Sequence, residues 1–532
     1  MRAPVPSTAW QTSRVALAAS ALVLTLGIAS SPLNTAAGVP SAAATADNGA
    51  WPVYHHDLAG SGVAADVSSV DTGTRAWTSP ALDGQLYGEP LVDGGRVYVA
   101  TENDTVYALS TSSGAVVWSD HLARPVPASS LPCGDIEPTV GITGTPVVDA
   151  VRGELFVVAD ELVRGTPVHV LVGLSTATGS TELTRSVDPP GSAAAALLQR
   201  TALTIASGRV VFGFGGNYGD CSTYRGWVVG VPEAGGTPVD FGVDTGTGQS
   251  QGAVWMGGAA PAVDGAGNVW VAVGNGSVTS ATRKYDHSDS VLELSPDLRL
   301  VEYFAPSSWA SDNARDLDLS MAPALLPDGQ VVVAGKAGTA YLLDGADLGG
   351  IGGQRATLGS ACPDDVDGGS AEVGAVVYLP CLSGIVAVRV GASPPTLDRE
   401  WSSGAGGGPP IVAAGLVWTL GQDGTLSGLD PATGSVRQKA SVGVPADHFP
   451  TPSVGGGLLV AASADRVVAF TAPSTPAPTS PSPASSSPAS SRVVPGAASG
   501  PPVGAVAGIV GAAVATGAVA WLLVRRRKGP EA

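Results

Sequence analysis

The stretch between residues 89 and 118 decides the fold. It contains two phrases, EPLVDGGRVYV (89–99) and VYALSTSSGAVVW (106–118). The first predicts two short β-strands joined by an Asp-Gly-Gly turn, and the second predicts two more strands joined by a turn that Gly114 closes. Together they form a unit of four short strands, which is too small to bury both of its faces alone.

Related units recur along the chain, and counting from Pro90 there are eight. Eight such sheets stacked around an axis bury one another, so we expect an all-β, eight-bladed β-propeller with four-stranded blades. The last unit lacks a fourth strand, and residues 74–77, which end in Trp77, can supply it and close the ring. An open solenoid is the alternative, against which this unpaired N-terminal strand argues. The later copies begin at Pro146, Pro261, Pro323, Pro410 and Pro452, with two weaker copies near Thr201 and Ser370.

The composition suits strands and turns, with 72 glycines, 42 prolines and only 14% charged residues. Residues 47–470 contain 24 more acidic than basic residues. A domain with this charge repels phosphate backbones, so nucleic acid is not expected as a partner.

The two ends predict an exported, membrane-anchored protein. Residues 1–46 have the layout of a signal peptide, with cleavage after Ala37 or Ala46. After the propeller (47–470), residues 471–502 are rich in Pro, Ser and Ala and predict a disordered stalk. Residues 503–524 carry no charge and are long enough for a transmembrane helix, and the basic tail 525–532 follows. The positive-inside rule then gives a single-pass type I topology in the cell membrane, with the propeller outside.

The chain has four cysteines, which permit three pairings in an oxidising location. Cys362 and Cys381 bracket the start of one blade, so we pair them, and by exclusion we pair Cys133 with Cys221.

The phrase that ends in Trp118, Ala-x-Ser-x-x-Ser-Gly-x-x-x-Trp, resembles the tryptophan-docking repeat of the pyrroloquinoline quinone (PQQ) family of propellers. That family contains eight-bladed quinoprotein alcohol dehydrogenases and also non-catalytic assembly proteins. The resemblance covers about residues 74–470 and implies the fold rather than an activity.

A second similarity to the quinoprotein dehydrogenases concerns single residues. The resemblance implies that Trp255 is the platform for the quinone, that Lys336 and Arg225 bind it, that Asn275 is a calcium ligand and that Asp316 is the catalytic base. The chain departs from the pattern in three places. Cys221 stands where the family has a glutamate calcium ligand, which leaves Asp220 as the substitute. Arg315 replaces a tryptophan, and the family's adjacent cysteine pair is absent.

Other polar residues are candidates for a ligand face. Tyr285 and His287 fall in a long predicted loop of the fourth blade, and Asp318 follows Asp316 at a spacing of two. His55 and His56 are adjacent, so they point opposite ways on an extended segment, and we predict that they belong to a capping N-terminal segment. The sequence therefore favours a scaffold that binds an unknown protein or small molecule outside the cell. The alternative is a PQQ- and calcium-dependent dehydrogenase of alcohols or sugars.

Overall fold

A computed structural model describes residues 49–473. The predicted signal peptide, transmembrane helix, basic tail and nearly all of the stalk lie outside this range. Thr471 belongs to the last strand, so the propeller ends one residue later than predicted. Among residues 49–473, no helix combines the length and the apolar character that a membrane crossing requires.

The described chain forms eight antiparallel four-stranded sheets, which we number as blades 1 to 8. The first strands contact one another between blades 8 and 1, 1 and 2, 2 and 3, 3 and 4, and 6 and 7, so they surround a central axis. The eight-bladed propeller is therefore confirmed. The strands of blades 1 to 4 are Leu91–Asp93, Arg96–Ala100, Thr105–Ser110 and Val116–His121; Val147–Asp149, Glu154–Val163, Thr166–Ser175 and Thr181–Ser186; Thr204–Ala206, Arg209–Gly216, Trp227–Pro232 and Val239–Gly242; and Ala262–Val263, Val269–Val273, Ser290–Leu294 and Leu300–Ala305.

The second half of the ring repeats this arrangement. The strands of blades 5 to 8 are Ala324–Leu325, Gln330–Ala334, Ala340–Asp344 and Ala356–Leu358; Ala371–Val373, Val376–Cys381, Gly384–Ala392 and Pro395–Ser403; Ile411–Ala413, Leu416–Leu420, Thr425–Leu429 and Val436–Ser441; and Ser453–Gly455, Leu458–Ser463, Arg466–Thr471 and Asp71–Thr78. Short elements outside the blades are the strands Val63–Ala64, Val126–Pro127, Thr139–Val140, Leu197–Leu198 and Gly350–Ile351, the 3-10 turns Ala128–Ser130, Ala194–Ala196 and Met256–Gly258, and the helix Trp309–Asn313.

The N-terminal strand closes the ring as predicted. Asp71–Thr78 is the fourth strand of blade 8 and pairs antiparallel with Arg466–Thr471, so that Trp77 lies opposite Ala469. Blade 8 thus joins the two ends of the described chain, and the open solenoid is wrong.

Tryptophans dock each blade on the next at three of the interfaces. Trp77, Trp118 and Trp401 lie in the fourth strands of blades 8, 1 and 6. Each indole N–H donates to a backbone carbonyl in a turn of the following blade, over 2.7 to 3.0 Å. The turn contains a glycine at positive φ, such as Gly434 at 68°, against which the indole packs. A side chain at that glycine would collide with the ring, which explains the Gly and Trp of the repeated phrase.

Residues 49–64, the axial segment, fill one end of the central channel. Trp51 is fully buried and pairs with Val92 in the first strand of blade 1. The segment also hydrogen-bonds to the first strands of blades 2, 4, 6 and 7 and to the first turn of blade 8, so it must lie on the axis. The N–H groups that bond to its carbonyl oxygens are those of Val148, Val263, Glu372, Val412 and Gly456.

Candidate functional site

The predicted site residues all project from one face of the propeller. In an antiparallel blade, the loop after the second strand and the loop that leads to the next blade emerge at the same end. We call this end the upper face. Trp255 lies in the loop between blades 3 and 4, Asp316 and Asp318 in the loop between blades 4 and 5, and Asn275 and Lys336 in loops within blades 4 and 5.

Five of these residues form a bonded group, the Lys336 cluster. The Lys336 ammonium lies 2.8 Å from Asp318 Oδ2 and 3.4 Å from Asp316 Oδ2. The indole N–H of Trp255 donates to Asp318 over 3.2 Å. Asn275 donates its backbone N–H to Asp318 over 2.6 Å and its side-chain amide to Asp316 over 2.9 Å. The fold therefore brings together five of the residues that the sequence pattern singled out, although they come from four different loops.

The electrostatics of the cluster keep Lys336 charged. Burial by itself would lower the pKa of Lys336, but attraction to Asp318, strengthened by a hydrogen bond, and attraction to Asp316 raise it above its usual value. Asp318 is buried, whereas the side chain of Asp316 is 64% exposed. Asp316 also has a φ of 57°, a conformation that residues other than glycine seldom adopt. Its bonds to Lys336 and Asn275 thus hold a strained residue at the surface.

A second group closes the centre of the upper face from the opposite side of the ring. Phe449, in the loop between blades 7 and 8, packs against Trp255 with ring centroids 5.9 Å apart. In the same loop, Asp447 accepts a hydrogen bond of 2.5 Å from Arg200, whose guanidinium carbon lies 5.9 Å from the Phe449 ring centroid. Sequence reasoning missed these three residues. No local pattern signals them, because Arg200 and Asp447 are 247 positions apart.

These contacts do not fit the quinone and calcium site that the resemblance implies. Phe449 lies against the Trp255 ring on which a quinone would stack, and the Lys336 ammonium lies over it, 5.4 Å from the centroid. Asp220 is exposed and hydrogen-bonded to Tyr224 rather than paired with Asn275. Within residues 49–473, no group of three or more His, Cys, Asp or Glu side chains is arranged to hold a metal ion.

Arg225 lies outside the Lys336 cluster. Its charge acts on Asp244, a fully buried carboxyl whose oxygens have no hydrogen-bond partner among the described residues. Burial, with repulsion from Asp286, raises the pKa of Asp244 to about 8, and Arg225 opposes this shift. The charge of Arg225 therefore acts on the loop between blades 3 and 4, where Asp244 lies, and not on the Lys336 cluster.

Tyr285 and His287 build an aromatic group beside the cluster. Tyr285 packs against Trp309 with centroids 4.7 Å apart, and His287 packs edge-on against Tyr303 at 5.2 Å. The Tyr285 hydroxyl donates to the Ser288 carbonyl over 2.6 Å. Burial lowers the pKa of His287, which favours the neutral ring at neutral pH. These contacts support the long loop of blade 4.

The two disulfides join the cysteines as predicted, Cys133 with Cys221 and Cys362 with Cys381. The first ties the loop between blades 1 and 2 to a loop of blade 3 on the upper face. His55 and His56 belong to the axial segment. His55 stacks on Tyr54 and bonds to the Ser370 carbonyl at 3.0 Å, whereas His56 packs against Trp51.

Comparison with known proteins agrees with this architecture. A family model described as outer membrane protein assembly factor BamB matches residues 63–286. This match covers less than half of the chain and agrees with its docked four-stranded blades. Over residues 63–286, the chain resembles the PQQ-like β-propeller repeat family. No curated protein matches its sequence.

Among solved structures, this propeller is similar to the quinohemoprotein alcohol dehydrogenase ADHIIG of Pseudomonas putida HK5, at 14% identity and a TM-score of 0.60, with 82% of each chain covered. The quinohemoprotein alcohol dehydrogenase of Comamonas testosteroni matches at 16% sequence identity with a TM-score of 0.57, and the match covers 79% of this chain and 80% of that one. BamB from Moraxella catarrhalis matches at 15% sequence identity with a TM-score of 0.51, and the match covers 75% of this chain and 99% of that one. At these identities, the likeness concerns the fold alone.

Proposed function

We propose that this PQQ-like propeller is a membrane-anchored, extracytoplasmic scaffold that binds a protein or small molecule on the upper-face loops of blades 3 to 5. One observation carries the proposal: Trp255 is covered by Phe449 and Lys336, and Lys336 is bonded to Asp316 and Asp318. The centre of the upper face is thus a closed, rigid surface, which suits recognition better than a cofactor slot.

A thermal-shift experiment with PQQ and calcium ions distinguishes the scaffold from a dehydrogenase. A ligand present at 100 times its dissociation constant stabilises the folded chain by about 2.7 kcal/mol. We expect no stabilisation of the full-length chain, and no dye reduction with alcohols or aldose sugars. Dye reduction that requires PQQ and disappears in Asp316→Asn would overturn the proposal.

Photocrosslinking tests the scaffold role directly. A photoreactive amino acid at the exposed position 316 reports on the upper face, and one at Val151, which is 83% exposed in the first turn of blade 2, is the matched control on the opposite face. In intact cells, we expect a discrete adduct from position 316 and none from position 151. The same adducts from both positions, or none from either, would contradict the proposal.

The anchoring part of the proposal is supported by the uncharged residues 503–524 and the Arg-Arg-Arg-Lys run that follows. Deletion of residues 503–532 is expected to release the chain into the external medium. Retention of the shortened chain with the membranes, or in the cytoplasm, would contradict this part alone.

A further inference from the structure

A cavity of about 320 Å³ opens on the upper face between blades 6 and 7. None of its lining residues belongs to the Lys336 cluster. Its volume is at the lower end of the range of about 300–1,000 Å³ that is typical of small-molecule sites. Six polar side chains line it, namely Gln422, Asp423, Thr425, Ser427, Lys439 and His448.

The rest of the wall is mostly backbone. Four glycines and Ala405 line the cavity, and Leu382 is the one large apolar side chain among its lining residues. Glycine leaves the peptide groups uncovered, so a ligand can approach their N–H and C=O groups closely. The wall therefore offers many hydrogen-bonding groups and little apolar area.

The polar side chains are partly fixed by their own bonds. Gln422 donates its amide to the His448 carbonyl over 2.9 Å, which leaves its side-chain oxygen as an acceptor. Asp423 accepts from the N–H and the hydroxyl of Thr425 over 2.9 and 3.0 Å. The ammonium of Lys439 forms no salt bridge with any described residue, so its three donors remain available to a ligand.

The carboxylate and the ammonium of the wall, Asp423 and Lys439, balance each other, so neither anions nor cations gain a net electrostatic advantage. The backbone and side-chain bonds from Thr425 hold the pKa of Asp423 below its usual value, so it is a carboxylate at neutral pH and repels anions. Lys439 supplies the opposite charge in the same wall. A neutral ligand whose groups both donate and accept hydrogen bonds can bond to both the carboxylate and the ammonium, and hydroxyl groups have this property.

We propose that the cavity between blades 6 and 7 binds a neutral, polyhydroxylated ligand of the size of a mono- or disaccharide. Its hydroxyls donate to Asp423 and to the Gln422 side-chain oxygen and accept from Lys439 and from backbone N–H groups. This site is separate from the surface named under the proposed function, so either proposal can fail while the other holds.

The test uses the full-length chain in a polyoxyethylene detergent, because a detergent with a sugar headgroup would compete. Glucose, N-acetylglucosamine, maltose and cellobiose serve as probes, and sodium acetate and choline chloride as ionic controls. We expect saturation-transfer NMR and calorimetry to show binding of at least one saccharide and of neither ion. Binding of no saccharide, or preferential binding of acetate or choline, would overturn the proposal.

Two matched substitutions locate the binding. Gly404→Trp fills the cavity without backbone strain, because a Cβ there meets nothing closer than 3.9 Å and the φ is not positive. Gly265→Trp is its control in the first turn of blade 4, where a Cβ meets nothing within 4 Å. We expect Gly404→Trp to abolish saccharide binding and Gly265→Trp to leave it unchanged.

A third variant tests the chemistry of the site. Lys439→Met is expected to weaken saccharide binding about 10-fold, which corresponds to the loss of one charge-assisted hydrogen bond. Saccharide binding that survives in Gly404→Trp, or is equal in Lys439→Met and the unchanged chain, would place the ligand elsewhere and contradict the proposal.

Discussion

Three buried carboxyl groups lie in blades 1 and 2, two in the upper-face loop of blade 1 and one in the second strand of blade 2. Glu102, Asp104 and Asp160 are 1%, 0% and 3% exposed. Neither oxygen of Asp104 has a hydrogen-bond partner among the described residues. Burial, followed by repulsion from Asp160 and Glu102, raises the pKa of Asp104 to about 9. Asp104 is therefore a neutral acid in the folded chain at neutral pH.

This residue makes stability depend on pH. In the unfolded chain Asp104 titrates near its ordinary pKa, so the folded state holds a proton that the unfolded state has lost. The free energy of unfolding consequently falls as the pH rises from about 4 to about 9. The decrease from this residue is about 1.4 kcal/mol per pH unit. Asp104→Asn, which cannot ionise, is expected to flatten the dependence of Tm on pH across this window.

Asp398→Asn is the control for this prediction, since Asp398 is exposed on the outer strand of blade 6. It is expected to leave the pH profile unchanged. If Asp104→Asn and Asp398→Asn gave the same profile, the buried acid would not be the cause.

At the scale of the elements, the turns that receive the tryptophans are the most constrained. In blade 7, both Gly415 and Gly434 have a φ near 70°, but only at Gly434 would a Cβ meet the Trp401 ring, at 2.5 Å. Gly434→Ala therefore adds a clash to the backbone strain that Gly415→Ala produces alone. We expect Gly434→Ala to lower the free energy of unfolding by about 1–3 kcal/mol more than Gly415→Ala does.

Urea denaturation of the two variants measures this difference. Equal urea midpoints would show that the docking turn tolerates a side chain, and that Trp401 can move away at little energetic cost.

The docking turns also show which elements the sequence can predict. The Gly and Trp are 4 residues apart in the phrase that contains Gly114 and Trp118, and its turn recurs at Gly179 and Gly434, so the blades and their closure by Trp77 could be predicted from the sequence. The contact between Phe449 and Trp255 could not be predicted from the sequence, because the two residues come from opposite sides of the closed ring. The axial segment was predicted only as a cap, since it is held largely by backbone hydrogen bonds that any sequence can make.

At the scale of the whole molecule, the ring has one closure point. Trp77 and Trp401 make the same docking contact, with N–H to carbonyl distances of 2.7 and 2.8 Å, and both are 9% exposed. Only Trp77 lies on the strand that joins the N-terminal part of the chain to the last blade. Loss of the Trp77 contact weakens the closure of the ring, whereas loss of the Trp401 contact weakens a blade built from consecutive strands.

We therefore expect Trp77→Ala to unfold faster than Trp401→Ala, by about fivefold, which corresponds to roughly 1 kcal/mol. Stopped-flow unfolding in denaturant measures both rates. Equal rates would mean that the ring opens at many interfaces and that blade 8 is not its weakest point.

The position of the axial segment also fixes an order of events during biosynthesis. Residues 49–64 leave the ribosome before any blade, yet their partners include Val412 of blade 7 and Gly456 of blade 8, which are made last. This earliest part of the propeller must therefore wait, without its final hydrogen bonds, until nearly the whole chain has been synthesised. A nascent chain arrested before blade 8 cannot seat this segment fully, and it would leave Trp51 accessible to chaperones and proteases.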